Sequence, residues 1–205
     1  MHTSIHYDTY AYMAMTANVM GKEATYTLRS LLDRKTSDDY NQLLPKFGLS
    51  YKLDEQGSNV YATVSKGYRA GGYNIQMFSD ILQTELNAHR QDAMRGDYDV
   101  PHTDEDYDRV NQTIAFKPET SWNYEVGTHL NLFDHRLHFD LSAFYMQVRN
   151  QQLSVMAGTY GFGRMMVNAG KSHSCGIETA LKGQAFDGAF DWGVNYGFTR
   201  AVFDE

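Results

Sequence analysis

The chain has 205 residues, 25 acidic against 18 basic side chains, a formal charge of -7, and 14% aromatics. That length suits one domain or part of a larger one, and an acidic chain without a clustered basic surface is excluded from phosphate-driven nucleic-acid binding. The single cysteine, Cys175, excludes an intramolecular disulfide framework, and no stretch approaches the roughly 20 apolar residues of a membrane-spanning helix, so a membrane protein of this composition is a barrel.

From the start, MHTSIHYDTYAYM lacks the charged, apolar and small-residue regions of a secretory signal peptide, and it carries His2 and His6 in an unpatterned stretch. Met1 is therefore expected not to be the natural beginning. Glu23 to Ser30 is a weak strand candidate. The first clear one sets Phe47, Leu49, Tyr51 and Leu53 against Lys46, Gly48, Ser50 and Lys52. Such alternation places two unlike sets of side chains on opposite faces of an extended strand. Asn59 to Tyr68 is β-prone but mixed.

Between Ala70 and Lys117 lies a connection too long for a compact soluble domain. Within it, Met77 to Arg95 has apolar residues at Phe78, Ile81, Leu82 and Leu86, a helical spacing. An acidic cluster follows: Asp97, Asp99, Asp104, Glu105, Asp106 and Asp108, interleaved with Tyr98 and Tyr107. Pro101 and the wrong spacing argue against a calcium loop, and a solvated outer loop is the plainer reading.

Strong alternation resumes with Trp122, Tyr124, Val126, Leu130 and Leu132, then Leu137, Phe139, Leu141, Ala143 and Tyr145. His129, His135 and His138 straddle the turn between these strands, and without partners at ligand spacing they make no predicted metal site. Gly158, Gly161 and Gly163 form a flexible stretch without the lysine of a phosphate loop. Cys175, Ile177 and Leu181 mark the next strand. Phe190, Trp192, Val194, Tyr196 and Phe198 mark the last. Ser172, His173 and Ser174 form no nucleophile elbow, so neither catalytic residues nor a cofactor are predicted.

Short connections at Asp54 to Ser58, Asp134 to Arg136 and Asp187 to Gly188 alternate with long ones at Ala70 to Lys117 and Gln151 to Arg164. That rhythm belongs to a barrel with one periplasmic and one extracellular rim. Several strand candidates run to about 10 residues or more, the length that crosses a membrane at a tilt. Trp122, Tyr124, Tyr145, Trp192 and Tyr196 are the candidate membrane-interface aromatics. Arg69 and Arg149, beyond the strand ends, are candidate anchors. The competing reading is a soluble or surface-exposed β-sandwich of adhesin type, which also alternates.

Leu43 to Asn74 (LLPKFGLSYKL, then NVYATVSKGYRAGGYN), Phe116 to Leu153 (FKPETSWNYEVGTHLNLFDHRLHFDLSAFYMQVRNQQL) and Asn168 to Gly183 (NAGKSHSCGIETALKG) resemble, in this order, strands of the TonB-dependent receptor barrel. Met1 to Asp39 matches poorly, and an aromatic is usual where Cys175 stands. The resemblance implies an all-β antiparallel transmembrane barrel in the outer membrane of a Gram-negative bacterium. It also implies import of a small ligand, an iron-siderophore, cobalamin or glycan, energised by the TonB complex through a plug domain. Tyr98, Tyr107, Tyr160 and Phe162 are then candidate ligand contacts in outer loops. Against the family's barrel of about 22 strands, roughly seven or eight are counted here, so residues 1–205 are read as a fragment of the later barrel, without plug or final strands and unable to close.

Overall fold

The computed structural model describes every residue except Met20, 157–162, Asp187 and Glu205. Its strands are β1 (His2–Val19), β2 (Lys22–Asp39), β3 (Lys46–Lys52), β4 (Asn59–Arg69), β5 (Gly72–Tyr73), β6 (Tyr98–Asp99) and β7 (Ala115–Phe116). The later ones are β8 (Glu119–Leu132), β9 (Leu137–Arg149), β10 (Gln152–Met156), β11 (Arg164–Asn168), β12 (Lys171–Ala185) and β13 (Phe190–Asp204). Helices α1 (Met77–Ala88) and α2 (Asp104–Ile114) lie in the longest connection, with a 3-10 turn at Asp92–Arg95 between them. Two compact bodies result. One comprises Met1–Asn41, Ala70–Lys117 and Gln152–Asn168, and the other Gln42–Arg69, Pro118–Gln151 and Ala169–Glu205.

The second body is an open six-stranded antiparallel sheet in the order β13-β12-β9-β8-β4-β3. Its register sorts the faces without ambiguity. Phe47, Val64, Tyr124, Tyr145, Cys175 and Arg200 form one cross-strand row, and Leu49, Ala62, Val126, Ala143, Ile177 and Phe198 the next on the same face. On the opposite face run Gly48, Thr63, Glu125, Phe144, Gly176 and Thr199. The outward rows are thus mostly hydrocarbon and aromatic, the inward row small and polar apart from Phe144.

Much of the outward face stands open, with Leu49, Val126, Val194 and Phe198 all exposed. An apolar face of this extent in water would be an association hazard; bathed in lipid it is satisfied. From Trp122 to Leu132, ten steps of about 3.3 Å tilted by about 40° give a height of about 25 Å, that of a barrel's apolar band.

The short turns close the sheet at one end. Asp54 Oδ1 accepts the Ser58 N–H at 2.9 Å, and Gly57 takes the left-handed conformation (φ 88°) that glycine adopts at no steric cost. The Ser58 hydroxyl, then its backbone, hold the Asp54 carboxyl below its usual range. At the opposite end the chain leaves the sheet for its long connections, before β3, between β4 and β8, and between β9 and β12.

The first body corrects the reading of the amino terminus as unpatterned. β1 and β2 pair residue for residue from His2↔Asp39 to Val19↔Lys22, and β6 adds to β2 in parallel through Leu28↔Tyr98. Thr3, Ile5, Tyr7, Thr9, Ala11 and Met13 take the more buried face of β1, and Leu28, Ser30 and Leu32 that of β2. Against this face α1 buries Phe78, Leu82 and Leu86, and α2 buries Val110 and Ile114.

The helix expected over Met77 to Arg95 is present as α1 and the 3-10 turn. The acidic stretch, by contrast, is no simple loop, because its second half is α2. Thr103 caps that helix: Thr103 Oγ1 accepts the Asp106 N–H at 3.3 Å, and the Thr103 N–H donates to Asp106 Oδ2 at 2.8 Å. Asp104, Glu105 and Asp106 complement the positive end of the helix dipole. The Thr103 hydroxyl, then its backbone N–H, hold the Asp106 carboxyl down at about 2.

Candidate functional site

In the six-stranded sheet the inward face carries a polar wall. Tyr61 Oη donates to Glu125 Oε1 at 2.7 Å, while its ring lies stacked 5.1 Å from that of His129. Gly127 makes the room, since a Cβ there would stand 2.6 Å from the Tyr61 ring. His129 Nδ1 lies 2.7 Å from Asp140 Oδ1, and His138 Nδ1 2.6 Å from Asn131 Oδ1. The stacked Tyr61 and His129 rings and Asp140 border a hollow of about 420 Å3 that Ser142, Glu178 and Asn195 also line. It is a wetted wall of donors and acceptors, suited to reversible polar contact.

The histidines that invite a metal hypothesis are engaged singly. Besides the pairs above, His2 contacts Asp39, His6 contacts Asp33, His89 contacts Asp92 and His173 contacts Asp204. Among the described residues no group of three or more His, Cys, Asp or Glu is gathered as metal ligands. Strand alternation sends Ser172 and Ser174 to one face and His173 to the other, so these neighbours form no nucleophile–base pair.

A second candidate lies within the first body. Glu85, His89, His102, Asp106 and Arg109 line a hollow of about 550 Å3. His102 has a side chain only 6% exposed; its Nε2 lies 3.1 Å from Glu85 Oε2, which also accepts the Ser30 hydroxyl at 2.6 Å. Arg109 pairs with Asp106 on α2. The Tyr73 phenol, elsewhere in this body, is pushed up to about 12, first by burial and then by its 2.7 Å hydrogen bond to Asp38.

Of the predicted ligand contacts, Tyr98 and Tyr107 flank this second hollow. Tyr98 stacks on His89 with ring centroids 5.9 Å apart, and Tyr107 tilts against His102 at 5.8 Å. Tyr107 is also part of the packing, with the Arg34 guanidinium 4.6 Å from its ring centre. Tyr160 and Phe162 lie outside the described residues, as do Gly158 and Gly161. Sequence reading missed Glu85, His89, His102 and Arg109, which are scattered over α1, α2 and the link between them and become neighbours only on folding.

The interface aromatics all lie on the outward face. Trp122, Tyr124 and Tyr145 cluster toward the long-connection end, with ring centroids 6.5 Å apart in each consecutive pair. Trp192 lies near the short turns, its ring covering Gly183, where a Cβ would stand 2.6 Å from ring atoms. Tyr196 shares a row with Thr128 and Leu141, nearer the middle of β8 than its end. Arg149 is also outward, whereas Arg69 pairs with Glu119 on the inward side, so only Arg149 can serve as a lipid-side anchor.

Residues 4–205 match the family model of the TonB-dependent receptor-like β-barrel. The chain is 27% identical over 169 residues to the pesticin receptors of Yersinia enterocolitica and Yersinia pestis, covering 82% of this chain and 19% of each receptor. It therefore spans about a fifth of the length of these curated relatives. Solved structures similar to it include the ferric yersiniabactin uptake receptor FyuA from Yersinia pestis, with 20% identity, coverage of 95% of this chain and 23% of that one, and a TM-score of 0.49. Another is the alcaligin outer-membrane receptor FauA from Bordetella pertussis, with 14% identity, 98% and 31% coverage, and a TM-score of 0.47. The soluble-sandwich alternative falls with the family match, which spans the weakly patterned amino-terminal stretch as well as the strong strands. The chain belongs to the TonB-dependent receptor family, a family of outer-membrane receptors and not of enzymes, and supplies part of its β-barrel.

Proposed function

We propose that residues 1–205 are part of the barrel wall and outer loops of a receptor that imports a scarce small ligand, an iron-siderophore, cobalamin or glycan, with energy delivered by TonB through a plug domain. The observation that carries this reading is the family match over residues 4–205, on a sheet whose faces separate into one for lipid and one for water. The curated relatives' name of receptor agrees with it. In this reading the outward aromatics seat the barrel between headgroup layers, and the inward polar wall faces the plug. Tyr98, Tyr107, Tyr160 and Phe162, all in the long connections, contact ligand from outer loops.

The test uses the complete receptor in cells limited for iron, cobalamin or a glycan. Uptake of one of these ligands is expected to stop when the proton gradient is collapsed, with binding at the surface retained. Uptake that continues without the gradient contradicts TonB dependence, and absence of binding for all three classes contradicts the ligand assignment.

A further inference from the structure

Cations collect at one end of the outward face. Lys66 lies in the row of Trp122; Arg149 and Lys171 share the row above it, that of Thr120 and Tyr68; and Arg200 lies one row below, level with Tyr124 and Tyr145. The only acid in these rows is Asp204, opposite Lys171, and its carboxylate is engaged by His173 Nδ1 at 2.6 Å. Among the described residues Lys66, Arg149, Lys171 and Arg200 form no ion pair with a carboxylate of the chain. At the other end the corresponding rows hold Leu130, Leu132, Leu137, Phe139, Leu181 and Trp192, with no charge.

Arg149 and Lys171 are direct register partners on β9 and β12. Like charges placed opposite each other on neighbouring strands repel, unless an anion bridges them. Such a pair combines the forked donors of a guanidinium with the point charge of an ammonium, a combination suited to a phosphate. Lys66 Nζ sits 5.9 Å from the centre of the Trp122 ring, which fixes a third cation beside them at the aromatic layer. Arg149 is four steps above Tyr145, about 10 Å along the membrane normal at the usual rise and tilt, which is headgroup depth.

We propose that this rim is a binding surface for phosphate-bearing lipid headgroups of the outer leaflet, with Arg149 and Lys171 as the bridging pair and Lys66 and Arg200 as flanking contacts. The inference rests on the orientation given above, with the long connections outside. It adds a specific headgroup contact to a face that below this rim meets acyl chains.

The experiment places the complete receptor in phosphatidylcholine vesicles with and without one-tenth lipid A, a glucosamine-disaccharide lipid carrying phosphates at both ends. Lipid retained through detergent extraction is then measured. The Arg149→Gln/Lys171→Gln variant is expected to retain at least tenfold less lipid A than the unsubstituted receptor, while Lys46→Gln/Lys182→Gln, which removes equal charge from the inward face, retains it fully. Inorganic phosphate at millimolar concentration is expected not to compete, which separates a headgroup site from a free-anion site. Equal retention by the outward variant and the unsubstituted receptor overturns the proposal. Loss in the inward variant alone overturns the assignment of faces and the proposal with it. Circular dichroism showing intact β structure in both variants excludes misfolding as the cause of any loss.

Discussion

Arginine in place of Val126 is expected to cost about 2–4 kcal/mol of barrel stability, whereas arginine in place of Asn123, three residues earlier on the same strand, costs far less. Val126 lies on β8 between Ala62 and Ala143 in the outward row of Leu49, Ile177 and Phe198, with 57% of its surface open. In lipid that open surface is in contact with hydrocarbon, where a guanidinium loses its hydration and finds no counter-charge. Asn123 has Ser65 and Met146 as register partners and belongs to the wetted face. Val194, level with Leu181, should repeat the penalty, and Asn195 should repeat the mild result. The comparison is made by reversible folding of the complete receptor in lipid vesicles. Equal penalties on the two faces would remove the basis for calling either one the lipid side.

The second large effect is expected at Leu32, in the first body. Leu32 is 0% exposed and packs among Tyr7, Phe78, Leu82, Val110 and Ile114, where β1 and β2 meet both helices. Leu32→Ala removes most of a side chain from a closed site and should destabilise this packing by about 2–5 kcal/mol. Leu31, its neighbour on β2, is 55% exposed, so Leu31→Ala should stay within about 0.5 kcal/mol. Hydrogen exchange reads the difference. In Leu32→Ala the amides of α1 and α2 lose protection while those of β8 and β9 keep theirs. Unchanged protection in the helices would show that they do not depend on this core.

How much of this was legible in the sequence depended on what each face meets. On β8, β9 and β13 one face needs hydrocarbon and the other tolerates glycine, asparagine and histidine, so contrast is high and the strands are read directly. The β1–β2 hairpin buries one face against two helices, and Thr3, Thr9, Ala11 and Ser30 suffice there, while Tyr10, Tyr12 and Leu31 stand exposed on the other. Contrast is then nearly absent, and the alternation passes unseen although the strands are long. The α2 signal was local and present: Thr103 followed by Asp106 is a capping pair, but the surrounding carboxylates suited a solvated loop equally well.

The site divides in the same way. Tyr98 and Tyr107 were singled out by residue type, and folding sets each against a histidine that sequence spacing did not connect to it. Arg69 and Arg149 looked equivalent as cations beyond aromatic strand ends, and only the register, which sends one inward and the other outward, distinguishes them. A shift of one residue would have exchanged their faces.

Spin labels placed singly along β8 from Trp122 to Leu132 in the lipid-embedded receptor test the central claim most directly, read by collisions with oxygen, which dissolves in hydrocarbon, and with a nickel chelate, which stays in water. Labels at Tyr124, Val126, Thr128 and Leu130 are expected to collide chiefly with oxygen, and those at Asn123, Glu125, Gly127 and His129 chiefly with the chelate, in strict alternation. A profile with a period of 3.6, or one in which all positions favour the chelate, would contradict a strand of a lipid-facing barrel wall.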